Sequence, residues 1–503
     1  MSVFLTVVVL LPMLGAVVLA VLPRVSGPVA RWAWVAVSAV DLVLVLVMWA
    51  GYRSGGGSGG GGFAYETNVR WIPTVGAGYH VGVDGLSLPL VGLTAGLFLA
   101  CALYSLRETR LPRVHAALFL FLESTCLGLF SALDLLLFFV WFDLSIVGMY
   151  FVIVGWGHGQ AARSALTFFL YTFLGSLALL IGFVGLFLAS TPHTFDMVEL
   201  TAQAPLAGRP VAGGLVLLAI AIGLAIKTPT VPFHTWLPPA HTDAPAAGSA
   251  ILAGVLLKMG TYGFVRIAMP MLPDAWRRWA LVAVVVGVVS VLWGVLVALA
   301  QTDIKRMIAY TSVNHMGYVL LAVGAAGMLG GGDADSRALA VTGAVTQMVS
   351  HGIVTGALFL LVGVLWDRRG TYDLNAYGGL AGVAPRFAGL TVVASFASLG
   401  LPGLSGFVAE FQMFSGSLGP APVGTVVALL GIVLTAGLFL TLLQRLLLGL
   451  PRGATGAFAD LRGEEAAAVV PLLVLSVVIG VFPRFLLDVI EPAARSVAAL
   501  VAR

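Results

Sequence analysis

The sequence predicts an all-α polytopic membrane protein of about fourteen transmembrane helices, with two inverted five-helix repeats and broken seventh and twelfth helices. Three observations carry this reading. Hydrophobic residues make up 60% of the 503 and charged residues only 10%, and the mean hydropathy of +1.04 is far above that of a soluble chain. Apolar stretches of roughly 20 residues, each able to cross a hydrocarbon core of about 30 Å, recur from end to end. Two of the longest are interrupted by Pro or Gly and carry an ionisable side chain, the sequence pointer to an inverted-repeat transporter.

In order, the stretches fall near 3–23, 29–51, 82–105, 114–133, 135–155, 164–189, 212–236, 247–269, 275–299, 304–329, 338–366, 385–416, 423–447 and 467–488. The first has no basic region before it and no clear small-residue cleavage site after it, so it reads as a retained helix. "YRSGGGSGGGG" at 52–62 lacks the lysine and hydroxyl of a phosphate loop and opens no helix, so a flexible external linker is expected. Spans 4–8 and 9–13 form the expected repeats. The chain then divides into 1–113 with helices 1–3 and the Gly-rich loop, 114–270 and 271–450 for the two repeats, and 451–503 with helix 14.

Net charge is only +4, and the basic residues are scattered over short loops, so no nucleic-acid surface is expected. They favour one face by a narrow margin, which places both termini outside the cytoplasm. Cys101 and Cys126, the only two cysteines, each sit inside an apolar span. Neither a disulfide framework nor a thiolate-held iron–sulfur cluster is expected, and any redox chemistry falls to a partner. Trp71, Trp236 and Trp276 are expected in an interfacial aromatic belt.

A charge near the bilayer centre costs at least a few kcal/mol, so those that persist usually face a protein interior or a hydrated path. "AIGLAIKTPTVPFHTW", 221–236, places Lys227 in an apolar run with two prolines after it. Pro229 and Pro232 lack N–H groups and free carbonyls at membrane depth, which water or polar side chains must satisfy. A lysine at such a break can be hydrated and dry by turns, and so can load and release a proton. Snorkelling is the competing explanation for Lys227, but Lys258 in "ILAGVLLKMGTYG" has apolar residues on both sides. Asp143 and His351 sit near the middle of their spans, and His315 lies about 18 Å beyond Asp303 at 1.5 Å per residue. His315 and His351 suit a proton relay; no metal site is expected, since no carboxylate or thiolate set stands at ligand spacing. Glu410 follows "GLPGLSG", the second break. Glu123 and Asp134 are open to either a structural or a functional reading. His234, His241 and Asp243 fall in a polar turn where a loop role and a proton entrance are equally open.

These residues carry a resemblance. "LAIKTPTVPFHTWLPPAHTDAPAAGSAILAGVLLKMGTYGFVR" (224–266), "QTDIKRMIAYTSVNHMGYVLLA" (301–322), "QMVSHGIVTGALFLLVGVL" (347–365), "GLPGLSGFVAEF" (400–411) and "GVDGLSLPLVGLT" (82–94) resemble the antiporter-like membrane subunits of respiratory complex I. The resemblance implies a proton-translocating subunit of an NADH–quinone oxidoreductase, multi-pass in a bacterial-type inner membrane. It implies partner membrane subunits of the L, N and K types and a peripheral arm, with no cofactor in this chain and FMN and iron–sulfur clusters in partner subunits. Lys227 becomes the switch lysine, Lys258 the connecting lysine, His315 and His351 relay positions, and Glu410 the terminal group, whose carboxylate favours the M type. The helix 5 glutamate of the family aligns with Asp143, shorter by roughly 1.3–1.5 Å of reach, and Gly148 replaces a proline. A subunit of a multi-subunit cation(Na+)/proton antiporter is the alternative implied by the same fold, and a non-pumping assembly subunit is a third.

Overall fold

Apolar length sets where this chain is helical, and Pro and Gly set where the helices stop. The computed structural model describes residues 3–22, 24–53, 62–330, 332–452 and 458–502; most of the expected Gly-rich linker, 54–61, lies outside these. The elements run α1 (Val3–Val21), α2 (Gly27–Arg53), β1 (Ala64–Ile72), β2 (Ala77–Val83), α3 (Leu88–Tyr104), α4 (Pro112–Ser131), α5 (Leu135–Trp156), α6 (Ala161–Ala189), α7 (Met197–Gln203), α8 (Pro210–Lys227) and α9 (Leu237–Asp243). Next come α10 (Ala246–Ile251), α11 (Leu257–Gly263) and α12 (Met269–Met271), joined into one rod by π turns at Leu252–Leu256 and Phe264–Ala268. The chain continues through α13 (Pro273–Leu299), α14 (Ile304–Ala326), α15 (Ala334–Arg369), α16 (Leu380–Val383), α17 (Pro385–Ser398), α18 (Ser405–Leu418), α19 (Pro422–Leu447), α20 (Gly463–Val481) and α21 (Arg484–Ala502).

Twelve of these rods are long and apolar enough to cross a membrane. The remaining two expected spans are α14 and the broken pair α17/α18, which accounts for all fourteen apolar stretches. The seventh span stops at Lys227, nine residues before the expected end, because the two prolines end the helix. Helices α4, α8, α13, α17 and α19 open with Pro, whose missing N–H is one the first turn would leave unpaired in any case.

Burial then sorts the helices into layers. Leu174 and Ile181 of α6, Leu215 of α8, Val282 and Val285 of α13 and Val433 of α19 are exposed apolar side chains, the faces a hydrocarbon solvent would cover. The cores of the α10–α12 rod and of α15 are fully buried. Small residues let the central helices touch: a Cβ on Gly287 would lie 2.6 Å from Leu321 N, and one on Gly317 2.7 Å from Val291 N, the close backbone approach that glycine permits between membrane helices.

Two elements depart from the expected run of spans. An antiparallel hairpin pairs Ala64 with Val83 and Ile72 with Ala77, so the third span starts at Leu88 and not at 82. It is pinned by His80, which contacts Asp196 at 2.5 Å and Glu66 at 2.9 Å, and by Gly78 N–H donating to Asp134 at 3.0 Å. After α20 the chain forms a further helix, α21, whose buried Leu486, Val489, Ile490, Ala494, Val497 and Val501 recur at helical spacing. Arg277 donates to the Val501 carbonyl at 2.7 Å and Arg53 pairs with Asp488 at 3.7 Å, which lays α21 on the hairpin's face of the molecule.

A buried polar axis as candidate functional site

Ending a helix inside an apolar layer strands backbone groups, and the first break shows where several of them go. The Ile226 carbonyl accepts from Trp236 Nε1 at 2.9 Å, Val231 N–H donates to Ser290 Oγ at 2.9 Å, and Thr230 N–H donates to the Ala225 carbonyl at 3.1 Å. The protein itself thus satisfies the Ala225 and Ile226 carbonyls and the Thr230 and Val231 N–H groups. It also corrects the expected belt: Trp236 and Trp276 are buried, and only Trp71 is exposed.

Lys227 is held at this break, 1% exposed. Its Nζ donates to Ser145 Oγ at 3.2 Å and lies 4.6 Å from the Phe142 ring centroid. The structure does not join it to Asp143: among the described residues no ion pair within 4.0 Å links the two. Asp143 is half-buried on the adjoining face of α5, beside Ser176, and its Oδ1 has no hydrogen-bond partner. Asp143 remains close enough for its charge to act on Lys227. Gly148 has a separate cause, since a Cβ there would stand 2.7 Å from Leu122 Cδ2, so its absence lets α5 pack close on α4.

A glycine also brings the next cation near. A Cβ on Gly260 would lie 2.3 Å from Thr228 Oγ1 and 2.6 Å from the Leu224 carbonyl, so α11 abuts the broken end of α8. Lys258, two residues earlier, is fully buried. The π turn before it widens the helix and releases the Ala253 carbonyl, which accepts from Lys258 Nζ at 2.6 Å. The same Nζ lies 2.7 Å from His351 Nδ1 on α15. His351 and His315 stand edge to face at 5.3 Å between ring centroids. His351 Nε2 and both His315 nitrogens make no direct side-chain hydrogen bond, with the Ser398 backbone facing His315.

Unpartnered nitrogens need a destination, and the structure supplies one. His315, His351, Gln347, Ser350, Ser398 and Glu410 line a single small cavity, with about 10 Å³ open to the centre of a water molecule, about the space one bridging water requires. Glu410, at its far wall, is buried on α18. Gly400 in the second break has φ +76°, and a Cβ there would fall 2.3 Å from Glu410 Oε2. Only glycine combines that backbone conformation with room for the carboxylate.

Of the sequence-derived candidates, Lys258, His315, His351 and Glu410 form one contiguous group, and Lys227 lies at the adjoining break. Asp134 is structural: it caps α5, accepting from Leu136 N–H at 2.8 Å and Leu137 N–H at 3.0 Å. His241 is fully buried against Phe359, at 4.6 Å between centroids, with neither nitrogen partnered. Asp243 accepts from Ser164 at 2.5 Å and, with His158 and Asp303, lines a cleft on the face opposite the hairpin. Beneath it lies a cation the spacing did not single out. Lys305 is fully buried, donates to the Ala244 carbonyl and sits 5.0 Å over the Tyr372 ring. Glu123 is also fully buried and accepts from Ser38 at 2.6 Å.

Two interrupted helices on either side of a buried row of titratable side chains define an antiporter-like polytopic membrane subunit. Residues 132–439 match the family described as NADH:quinone oxidoreductase/Mrp antiporter, TM, and the chain belongs to that family. It is 39% identical to NADH-quinone oxidoreductase subunit M of Rickettsia prowazekii over 85% of both chains, and 39% identical to the subunit M of Rhodobacter capsulatus over 97% of this chain and 95% of that one. A chain of respiratory complex I from Thermus thermophilus with bound NADH superposes at TM-score 0.87 with 30% identity, 99% of each being covered. A chain of the Mrp complex from Dietzia sp. superposes at 0.83 with 22% identity, a likeness of fold alone. The resemblance to the antiporter-like subunits of complex I is thereby borne out.

Proposed function

We propose that this chain is the M-type proton-translocating membrane subunit of an NADH–quinone oxidoreductase. The observation that carries the reading is the direct Lys258–His351 contact at 2.7 Å, opening through His315 and a water-sized cavity onto Glu410. An ammonium that close to an imidazole nitrogen shares one proton with it, because two adjacent buried positive charges repel strongly. A proton given by Lys258 to His351 thus has a path toward Glu410, while the buried Lys227 stands ready to reload the row across the α8–α11 contact.

Asp143, Lys227, Lys258, His315, His351 and Glu410 move the proton and no covalent chemistry occurs in this chain. Electron transfer, with FMN and iron–sulfur clusters, belongs to partner subunits; membrane subunits of the L, N and K types and a peripheral arm are the partners of this chain in a bacterial inner membrane. Lys305, His241 and Asp243 under the cleft opposite the hairpin supply the entrance. The recurrence of a broken helix with an ionisable side chain in 114–270 and again in 271–450 supports two inverted repeats. Sequence identity favours this reading over sodium–proton exchange.

The test is proton yield per NADH in the assembled complex carrying Lys227→Ala. We expect loss of the pumping due to this subunit; an unchanged yield with full assembly would overturn the role of Lys227.

A further inference from the structure

Two carboxyl groups outside this row remain unexplained. Asp41 lies in the middle of α2, in "SAVDLVLVL", and Glu123 in the middle of α4. Both are 0% exposed. Ser38 and Asp41 stand one turn apart on the same buried face of α2, and Ser38 Oγ donates to Glu123 Oε2 at 2.6 Å. Both oxygens of Asp41 and Glu123 Oε1 have no hydrogen-bond partner, and the two carboxyls are close enough for the charge of one to act on the other. Of the ionisable side chains nearby, Cys101 feels the charge of Glu123, and Cys126 feels both Glu123 and Lys227. Glu123 and Cys126 are one turn apart on α4, so Glu123 stands a single helical turn from a thiol within range of the Lys227 charge.

Native proteins rarely leave a buried ionised oxygen unpaired, since burying a lone carboxylate costs far more than burying the neutral acid. Three such oxygens in one dry pocket, with one hydroxyl donor between them, call for a donor hydrogen that the protein does not otherwise provide. A proton on one carboxyl supplies it.

Resting on the reading of this chain as a proton path, we propose that Asp41 and Glu123 share a proton and form a carboxyl reservoir that extends the buried axis beyond Lys227 into the N-terminal helices. In the transfer step a protonated Glu123 carboxyl gives H+ to the neutral Lys227 amine on the side of Cys126. This leaves an ammonium and a carboxylate, and the carboxylate keeps the Ser38 hydrogen bond. The pair has then given up its one shared proton and takes up another H+ before the next transfer.

The experiment is infrared difference spectroscopy of the purified complex during NADH-driven turnover, in H2O and D2O, on the parent and on Asp41→Asn, Glu123→Gln and Ser38→Ala. Expected is a protonated-carboxyl C=O band that shifts in D2O, is lost in D41N and E123Q, and moves without disappearing in S38A, together with a several-fold fall in pumping rate in D41N and E123Q. S38A keeps the test open should either carboxyl variant fail to assemble. A band unaltered in all three variants, or a D41N/E123Q double variant that assembles and pumps at the parent rate, would overturn the proposal. Lys227→Ala in the same assay separates the two levels: normal pumping in K227A refutes the proton path itself, whatever the carboxyl band does.

Discussion

Lys258 and His351 touch, with 2.7 Å between Nζ and Nδ1, although 93 positions separate them in sequence. Because each supplies the other's buried hydrogen bond, their losses should not add. Lys258→Ala and His351→Ala are each expected to abolish most proton transfer through the subunit. The double variant should pump no worse than the weaker single one, a coupling of about 0.5–3 kcal/mol. Additive losses in pumping rate would show that the contact carries no proton.

Gly400 sets Glu410 against the second break. Gly400→Ala forces a Cβ onto Glu410 Oε2, 2.3 Å away, at φ +76°. The backbone strain alone is about 1–2 kcal/mol, and the carboxylate must also move from the cavity it shares with His315 and His351. Lower thermal stability of the complex together with reduced pumping is expected. Gly403→Ala is the control, having positive φ but open space for its Cβ; it should cost stability without touching pumping. Equal pumping losses in the two variants would refute the positional role of Gly400.

Asp143 makes no ion pair with Lys227, whose ammonium instead uses the Ser145 hydroxyl at 3.2 Å. Lengthening the acid by one methylene brings it nearer, and the attraction between buried charges rises steeply as they approach. Asp143→Glu is therefore expected to raise the pumping rate, most clearly when combined with Ser145→Ala, which removes the competing acceptor. No gain in either background would show that the acid at 143 is no longer part of the switch.

How much of this was open to reading in the residues differs by feature. Lys227, Lys258 and Glu410 announce themselves as charges in apolar runs, and prolines 229 and 232 mark the first break, because the bilayer penalises both features so heavily. What those side chains meet was not legible. Nothing around Lys258 indicates the π turn that frees the Ala253 carbonyl, and no local pattern sends Trp236 inward to the Ile226 carbonyl. The hairpin escaped because "AYETNVRWI" lies between a Gly-rich run and an apolar one, where hydropathy averages conceal a short strand. Lys305 sits next to Arg306 at the very start of an expected span, where a basic residue reads as interfacial, yet it is wholly buried. Helix α21 follows a span end so closely that hydropathy merges the two. Asp41 carries the same signal as Lys258 but lies outside the family motifs.

His80 ties the hairpin to the loop before α7, and its titration gives that attachment a pH window. Burial alone would lower its pKa, but the hydrogen bonds and charges of Asp196 and Glu66 outweigh burial and hold it above the ordinary 6.5. For Asp196, burial acts upward and is outweighed by the bond to His80, leaving it below the ordinary 3.8. The histidine's contribution is complete below its unfolded value and fades as pH rises through its higher folded value. That of Asp196 is present above 3.8 and fades as pH falls through its lower folded value. Hairpin attachment should therefore be strongest between 3.8 and 6.5 and weaken in alkali. Amide hydrogen-exchange protection of 64–83, corrected for intrinsic rates, measures it in the intact complex. Protection that falls as pH rises well past 6.5 in the parent, and is low and flat in His80→Ala, is the expected result; protection insensitive to pH in the parent would remove the ion pairs from the account of how the hairpin is held.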